Sequence, residues 1–84
     1  MAIDNRDFIN RCHELTAPME PGGFTLPELF GEEWVPIREA GQAKTLGTVF
    51  SRAVRAGEFP DVEFSHVQRY PRMNVWRKVV AGRE

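Results

Sequence analysis

The sequence predicts a small α+β domain in which helices come first and a β-hairpin follows. Two observations indicate this order. Apolar residues recur at intervals of three and four over residues 42–57, which is the period of a helix, and then alternate over residues 62–67, which is the period of a strand. The length of 84 residues fits one domain, here residues 1–84.

Residues 4–15 predict the first helix. Asp4 or Asn5 is placed to cap it, and Asp7 lies in the first turn, where the helix macrodipole favours an acid. The apolar face of this helix comprises Phe8, Ile9, Cys12 and Leu15. Two prolines and two glycines then predict a loop over residues 18–23.

A short helix is predicted within residues 24–31. Thr25 and Glu28 have the spacing of a capping box, in which each side chain bonds the other residue's backbone amide. Pro27 falls in the first turn, where no intrahelical donor is needed, and Gly31 is placed to end the helix.

Residues 32–40 fit two structures. Trp34, Val35 and Ile37 are core candidates, but Pro36 excludes a long regular helix through them. A short strand at residues 33–37 and an irregular turn-helix piece both remain open.

The longest helix is predicted at residues 43–56, with Gly57 in the left-handed position that ends it. One face of this helix is apolar and comprises Leu46, Val49, Phe50, Ala53 and Val54. We expect Gly47 to permit a close approach to a neighbouring helix.

Two β-prone runs, residues 62–67 and 74–80, predict a hairpin with Pro71 in its turn. Arg69 and Arg72 then lie at the tip of the hairpin. The side chains expected to close the core from the hairpin are Phe64, Trp76 and Val79 or Val80.

This element order, three helices followed by a β-hairpin, is that of a small winged helix-turn-helix domain. Residues 1–23 would form the N-terminal helix and loop, residues 24–57 the helix-turn-helix, and residues 58–84 the wing and tail.

The pattern F-T-L-x-E-L-F, then Trp, then L-G-x-x-F-x-x-A-V-x-x-G-x-F, resembles a family of small uncharacterised bacterial and phage proteins. That family is a domain of unknown function with winged helix-turn-helix character. The resemblance covers roughly residues 24–79, with Trp76 and Arg77 standing where family members have Tyr and a base. The matching residues are Phe24, Thr25, Leu26, Glu28, Leu29, Phe30, Trp34, Leu46, Gly47, Phe50, Ala53, Val54, Gly57 and Phe59. The resemblance supports the fold and implies no catalytic residue.

Charge is distributed unevenly along the chain. Residues 1–40 hold three bases and eight acids, whereas residues 41–84 hold eight bases and four acids, although the net charge is only −1. Such asymmetry between halves favours binding of a polyanion by the second half.

Two groups of residues are candidates for contact with double-stranded DNA. In a winged helix the third helix enters the major groove, where Arg and Lys read guanine and hydroxyls contact phosphate. The hairpin tip combines bases with an aromatic ring, which suits phosphate contact plus stacking or minor-groove insertion. The candidates are Lys44, Thr48, Ser51, Arg52 and Arg55 on the helix, and Gln68, Arg69, Tyr70 and Arg72 at the tip. The alternative for both groups is an ordinary solvated surface.

The sequence predicts no enzyme, no metal site and no cofactor. His13 and His66 are far apart, and the Cys12-His13 pair lacks a second pair at zinc spacing. A lone cysteine, the absence of a secretory-signal pattern and the absence of a long apolar run predict a cytoplasmic protein that does not span a membrane.

An acidic surface offers the alternative function. Glu32, Glu33 and Glu39 are candidates for contact with a basic protein partner. The sequence thus predicts a non-enzymatic DNA-binding protein with a regulatory or phage-related role. The alternative is a protein–protein interaction module, or a phage-type inhibitor, that uses the acidic N-terminal half. The oligomeric state stays open.

Overall fold

A computed structural model describes residues 3–70 and 72–79, and within them the chain is α+β as predicted. These residues form four α-helices, one 3-10 turn and a three-stranded antiparallel sheet. The elements in chain order are α1 (Asn5–Thr16), β1 (Gly22–Phe24), α2 (Leu26–Phe30), a 3-10 turn (Gly31–Glu33), α3 (Trp34–Glu39), α4 (Ala43–Arg55), β2 (Val62–Gln68) and β3 (Met73–Lys78). Pro71 and Val80, predicted in the hairpin turn and the core, lie outside the described residues.

The starts of the first two helices follow the sequence closely. Asp4 occupies the N-cap position of α1 with an extended backbone, but its side chain makes no capping bond. The capping box of α2 is confirmed: the amide of Glu28 donates to Thr25 Oγ1 at 3.3 Å, and the amide of Thr25 donates to Glu28 Oε1 at 3.0 Å. These bonds satisfy two of the amides that a helix start leaves without partners.

Residues 31–39 adopt the turn-helix alternative, not the strand. Gly31 ends α2 with φ of 60°, a 3-10 turn follows, and Pro36 falls within the first turn of α3, where its missing amide proton is not needed. Helix α3 buries Trp34 and Ile37. The prediction that Val35 joins the core is wrong, because Val35 lies on the outer side of this short helix and is 40% exposed.

Both α3 and α4 end in the same hydrogen-bonded turn. After α4, Gly57 takes φ of 85° and its amide donates to the Val54 carbonyl, while the Glu58 amide donates to the Ala53 carbonyl. After α3, Gly41 takes φ of 75° in the equivalent arrangement. This pattern is the Schellman motif, and the predicted role of Gly57 is confirmed.

The sheet contains a strand where the sequence predicted the end of a loop, at residues 22 and 23, and the beginning of the short-helix segment, at Phe24. Gly22–Phe24 pairs antiparallel with β3, in the order β1-β3-β2, so the sheet is not a two-stranded hairpin. A run of two glycines and one phenylalanine is too short to show alternation. It is extended because the free edge of β3 supplies the hydrogen-bonding partner.

A bulge at Ser65 changes which side chains of the hairpin face the core. The pairing passes from Phe64 opposite Trp76 to His66 opposite Val75, so His66 lies on the other face from Phe64. Phe64 contacts the Trp76 ring edge-on at 5.5 Å but is 50% exposed. The prediction that Phe64 closes the core is therefore wrong, because burial in β2 is confined to Val62 at the start of the strand.

The core is centred on Phe50 of α4. Its ring is fully buried, and its centroid lies 5.0 Å from the centroid of the Phe59 ring and 4.9 Å from that of the Trp76 ring. The contact with Trp76 connects α4 to the sheet. Leu46 and Ala53 are also buried, as predicted. The expected role of Gly47 is wrong: a Cβ atom there would meet no described residue within 4 Å, so no helix of the described chain approaches it closely.

Candidate nucleic-acid interface

The exposed face of α4 carries the first candidate group. In helical projection Lys44, Thr48 and Arg55 lie directly opposite the buried face, with Ser51 and Arg52 on either side. Ser51 is half-buried and the other four are exposed. The Thr48 hydroxyl donates to the Lys44 carbonyl at 3.3 Å and keeps its acceptor capacity for a ligand. Lys44 and Arg55 are separated by about 16 Å of helical rise, comparable with the width of a major groove.

The hairpin turn carries the second candidate group. Arg69, Tyr70 and Arg72 are exposed, and Tyr70 has 89% of its surface in solvent. Together with Val67 and Gln68 they line a shallow concavity of about 260 Å³. The Tyr70 ring is thus placed at the tip, where it is open to a stacking partner.

Ion pairing divides the ten Lys and Arg residues of the described chain into an unpaired and a paired group. Among residues 3–70 and 72–79, Lys44, Arg52, Arg55, Arg69 and Arg72 have no carboxylate within ion-pair distance. Arg38, at the end of α3, is the sixth base of this kind in the described residues. An exposed base without an internal partner keeps its charge available for an external anion.

The remaining described bases are all paired. Arg11 bonds Glu33 at 2.5 Å and Glu14 at 2.8 Å, and Arg6 lies 4.0 Å from Glu58. Arg77 pairs with Glu63 across the hairpin. Lys78, only 6% exposed, lies 3.3 Å from the Asp61 carboxylate.

The acidic candidates do not form one free cluster. Glu32 and Glu39 are exposed and, within the described residues, unpaired, whereas Glu33 is held by Arg11. The hydrogen bonds from Arg11 lower the pKa of the Glu33 carboxyl, and the same bonds raise the pKa of the Arg11 guanidinium. The charge of Glu33 is therefore partly neutralised within the molecule.

The candidates for a catalytic or metal site, Cys12, His13 and His66, lie in three different environments. Burial raises the pKa of the Cys12 thiol to about 12, so the reactive thiolate is suppressed. The His13 ring stacks on Phe59 at 4.1 Å, and His66 Nδ1 lies 2.9 Å from the Ser65 hydroxyl. In the part of the chain that the structure describes, no three His, Cys, Asp or Glu residues come together as a metal site. None of its helices is long and apolar enough to cross a bilayer.

Residues 12–78 match the family described as a domain of unknown function, DUF1413. The chain belongs to this family. The match begins 12 residues before the segment that carries the resemblance, so it also includes the last five residues of α1 and all of β1. No curated protein and no solved structure matches the chain.

Sequence reasoning missed two features of the charge pattern. Lys78 and Arg77 contribute to the basic second half, but each forms an ion pair within the chain, with Asp61 and Glu63 respectively. Arg38 lies in the acidic half and received no role, although its charge is unpaired among the described residues. The alternation of the hairpin offered one signal for Lys78, because Lys78 and Trp76 lie on the same face of β3.

Proposed function

We propose that this chain is a non-enzymatic, cytoplasmic protein that binds double-stranded DNA as a winged helix-turn-helix domain. Helix α4 would lie in the major groove, and the hairpin turn would contact the backbone. The proposal is supported by the connection between α3 and α4, which consists of three residues, 40–42, and contains Gly41 at positive φ. A turn of three or four residues that often contains glycine is the connection used in helix-turn-helix motifs.

The arrangement of the strands also supports the proposal. The hairpin follows α4 directly in the chain and is fixed to it by the Phe50–Trp76 contact at 4.9 Å. Strand β1 pairs with β3, which anchors one side of the hairpin to the domain, while Arg69, Tyr70 and Arg72 near the turn are exposed. A hairpin anchored in this way is what a wing requires.

The observation that carries the proposal is the separation of paired from unpaired bases. In the described residues, all five bases of α4 and the hairpin turn lack an internal carboxylate, whereas Arg6, Arg11, Arg77 and Lys78 each have one. A Lys or Arg side chain that binds a DNA phosphate releases a condensed counterion, which favours binding. A side chain that must first give up its own carboxylate partner contributes less to the binding free energy. The free bases are therefore those expected at a nucleic-acid interface.

Binding without chemistry is consistent with a regulatory role. A buried thiol with a raised pKa is a poor nucleophile, which argues against Cys12 as a catalytic group. A phage-related origin remains a prediction of the resemblance alone.

The test is a fluorescence-anisotropy titration of a mixed-sequence duplex at several salt concentrations. We expect binding whose logarithmic affinity falls linearly with the logarithm of salt, by about 0.9 for each phosphate contacted, or roughly 2 to 5 in total. The double variant Arg52→Gln with Arg55→Gln removes two free bases and should lose most of this binding.

The matched control is Arg11→Gln with Arg77→Gln, which changes the net charge equally but removes two paired bases. It should retain the affinity and salt slope of the parent, provided that thermal melting shows it folded. Equal losses in both double variants would mean that net charge, and not the α4 surface, controls binding.

The acidic alternative rests on a smaller set of residues than the sequence indicated. Glu32 and Glu39 are the acids of the predicted set that stay free of ion pairs within the described residues, and both lie on the segment before α4. If the parent binds no duplex even at low salt, we propose instead that these two residues contact a basic protein partner. Their exchange for Lys would then abolish that contact without unfolding the domain.

A further inference from the structure

Arg38 lies in the last turn of α3, immediately before the connection to α4. Its carbonyl accepts the Gly41 amide at 3.0 Å, and the carbonyl of the preceding residue, Ile37, accepts the Gln42 amide at 3.0 Å. Gln42 is the N-cap of α4, so Arg38 is tied through this turn to the start of the proposed recognition helix. Lys44, the first base of the α4 surface, stands only two residues beyond that cap.

The surroundings of Arg38 differ from those of the other bases in the first half of the chain. Arg11 is held by two carboxylates and Arg6 by one. Arg38 is exposed, and within residues 3–70 and 72–79 no acid pairs with it, although Glu39 is its neighbour in sequence. Its buried neighbours Trp34 and Ile37 fix α3 on the core, so the backbone that carries Arg38 is held in place.

We infer that Arg38 contacts a phosphate of the duplex whose major groove α4 enters, which extends the interface from α4 back onto α3. The inference rests on the proposed function. In a helix-turn-helix the helix before the recognition helix crosses the sugar–phosphate backbone. A base at the end of α3, joined to α4 by three residues, is placed to meet the strand at the edge of the groove.

A purely structural role for Arg38 predicts a different result. A base in the last turn of a helix interacts favourably with the negative end of the macrodipole, which raises stability whether or not DNA is present. Thermal melting reports this contribution. The salt dependence of DNA binding reports the phosphate contact and does not respond to a macrodipole interaction.

The experiment compares Arg38→Gln with Arg11→Gln in anisotropy titrations of mixed and selected duplexes at several salt concentrations. Arg38→Gln should lower the salt slope by about 0.9 and weaken binding about fivefold to tenfold at 0.1 M salt. The loss should be equal for all duplex sequences, because phosphates carry no sequence information. Arg11→Gln should leave the slope unchanged, and Arg38→Lys, which keeps the charge, should have most of the salt slope of the parent.

Two failures are distinguishable. If the parent binds with a steep salt slope and Arg38→Gln has the same slope, the contact at Arg38 is wrong while the proposed function stands. If the parent shows no salt-dependent binding, both are wrong. A lowered melting temperature with an unchanged slope would assign Arg38 to the macrodipole alone and also overturn the inference.

Discussion

Lys78 and Arg52 belong to the same basic half of the chain but have opposite surroundings. Lys78 on β3 is buried, whereas Arg52 on α4 is exposed and, among the described residues, unpaired. The net charge of a segment counts both in the same way. Their difference shows that the number of bases available to a ligand depends on which bases the fold has already paired.

Lys78 acts as a clamp on the C-terminal end of α1. Its ammonium group donates to the Thr16 carbonyl, to the Met19 carbonyl at 3.1 Å and to the Ala17 carbonyl at 3.4 Å. The Asp61 carboxylate lies 3.3 Å away. The last carbonyls of a helix have no intrahelical partner, and a cation at that end also interacts favourably with the macrodipole.

The largest effect is therefore expected from Lys78→Met, which keeps a long apolar side chain and removes the charge. It removes the donor that the Thr16, Ala17 and Met19 carbonyls share and leaves Asp61 without this ion pair, and should lower the free energy of unfolding by about 2–4 kcal/mol. Chemical denaturation measures this loss. Salt-dependent DNA binding of the folded fraction should be unchanged.

Arg77→Met provides the contrast on the same strand. The Arg77 and Glu63 side chains are 56% and 46% exposed, and an exposed ion pair contributes below about 1 kcal/mol. If Lys78→Met is as stable as Arg77→Met, Lys78 is not the clamp that the structure indicates.

Helix patterns were predictable because they depend on local sequence. The capping box at Thr25 and Glu28, the buried face of α4 and the glycine after α4 are each specified within a few residues. Strand β1 was not predictable in this way, since Gly22–Phe24 is a strand only through its pairing with β3, more than 50 residues later. The bulge at Ser65 likewise depends on the register between β2 and β3.

The next largest effects should separate α4 from the hairpin turn. Arg52→Ala should cost about 1–3 kcal/mol of binding free energy and relax sequence preference if Arg52 reads a base edge. Arg69→Ala should weaken binding to all sequences alike and lower the salt slope by about one, because a residue on a turn reaches phosphates more readily than bases. Anisotropy with random and selected duplexes measures both quantities.

Melting temperatures provide the control, since neither side chain has an ion-pair partner within the described residues and neither change should lower stability. Identical changes in sequence preference for the two variants would show that α4 and the turn do not divide base and backbone contacts as proposed.

The candidate site was predictable as a list of residues but not as a set of free charges. The period of α4 placed its bases opposite the buried face, and the hairpin turn followed from its sequence. Whether a base is free depends on carboxylates distant in sequence, such as Glu33 for Arg11, which is 22 residues away. No local pattern specifies such pairs. The sequence therefore counted Lys78 among the bases that favour polyanion binding and gave no role to Arg38.

The smallest expected effect comes from the exposed pair between Arg11 and Glu33, and it depends on pH. Hydrogen bonds from Arg11 lower the pKa of Glu33 in the folded chain below the usual value of about 4.3. The unfolded state thus binds the proton more readily than the folded state, so the stabilisation is fully present above that value and is lost as the pH falls through the lowered pKa. Glu33→Gln should melt slightly below the parent at neutral pH, and the difference should vanish in acid and shrink in high salt, because exposed pairs are screened.

Glu32→Gln is the matched control: Glu32 is exposed and has no ion pair among the described residues, so its exchange should not reproduce this difference. A melting difference for Glu33→Gln that persists unchanged below the lowered pKa would show that the side chain stabilises the domain through packing and not through its charge.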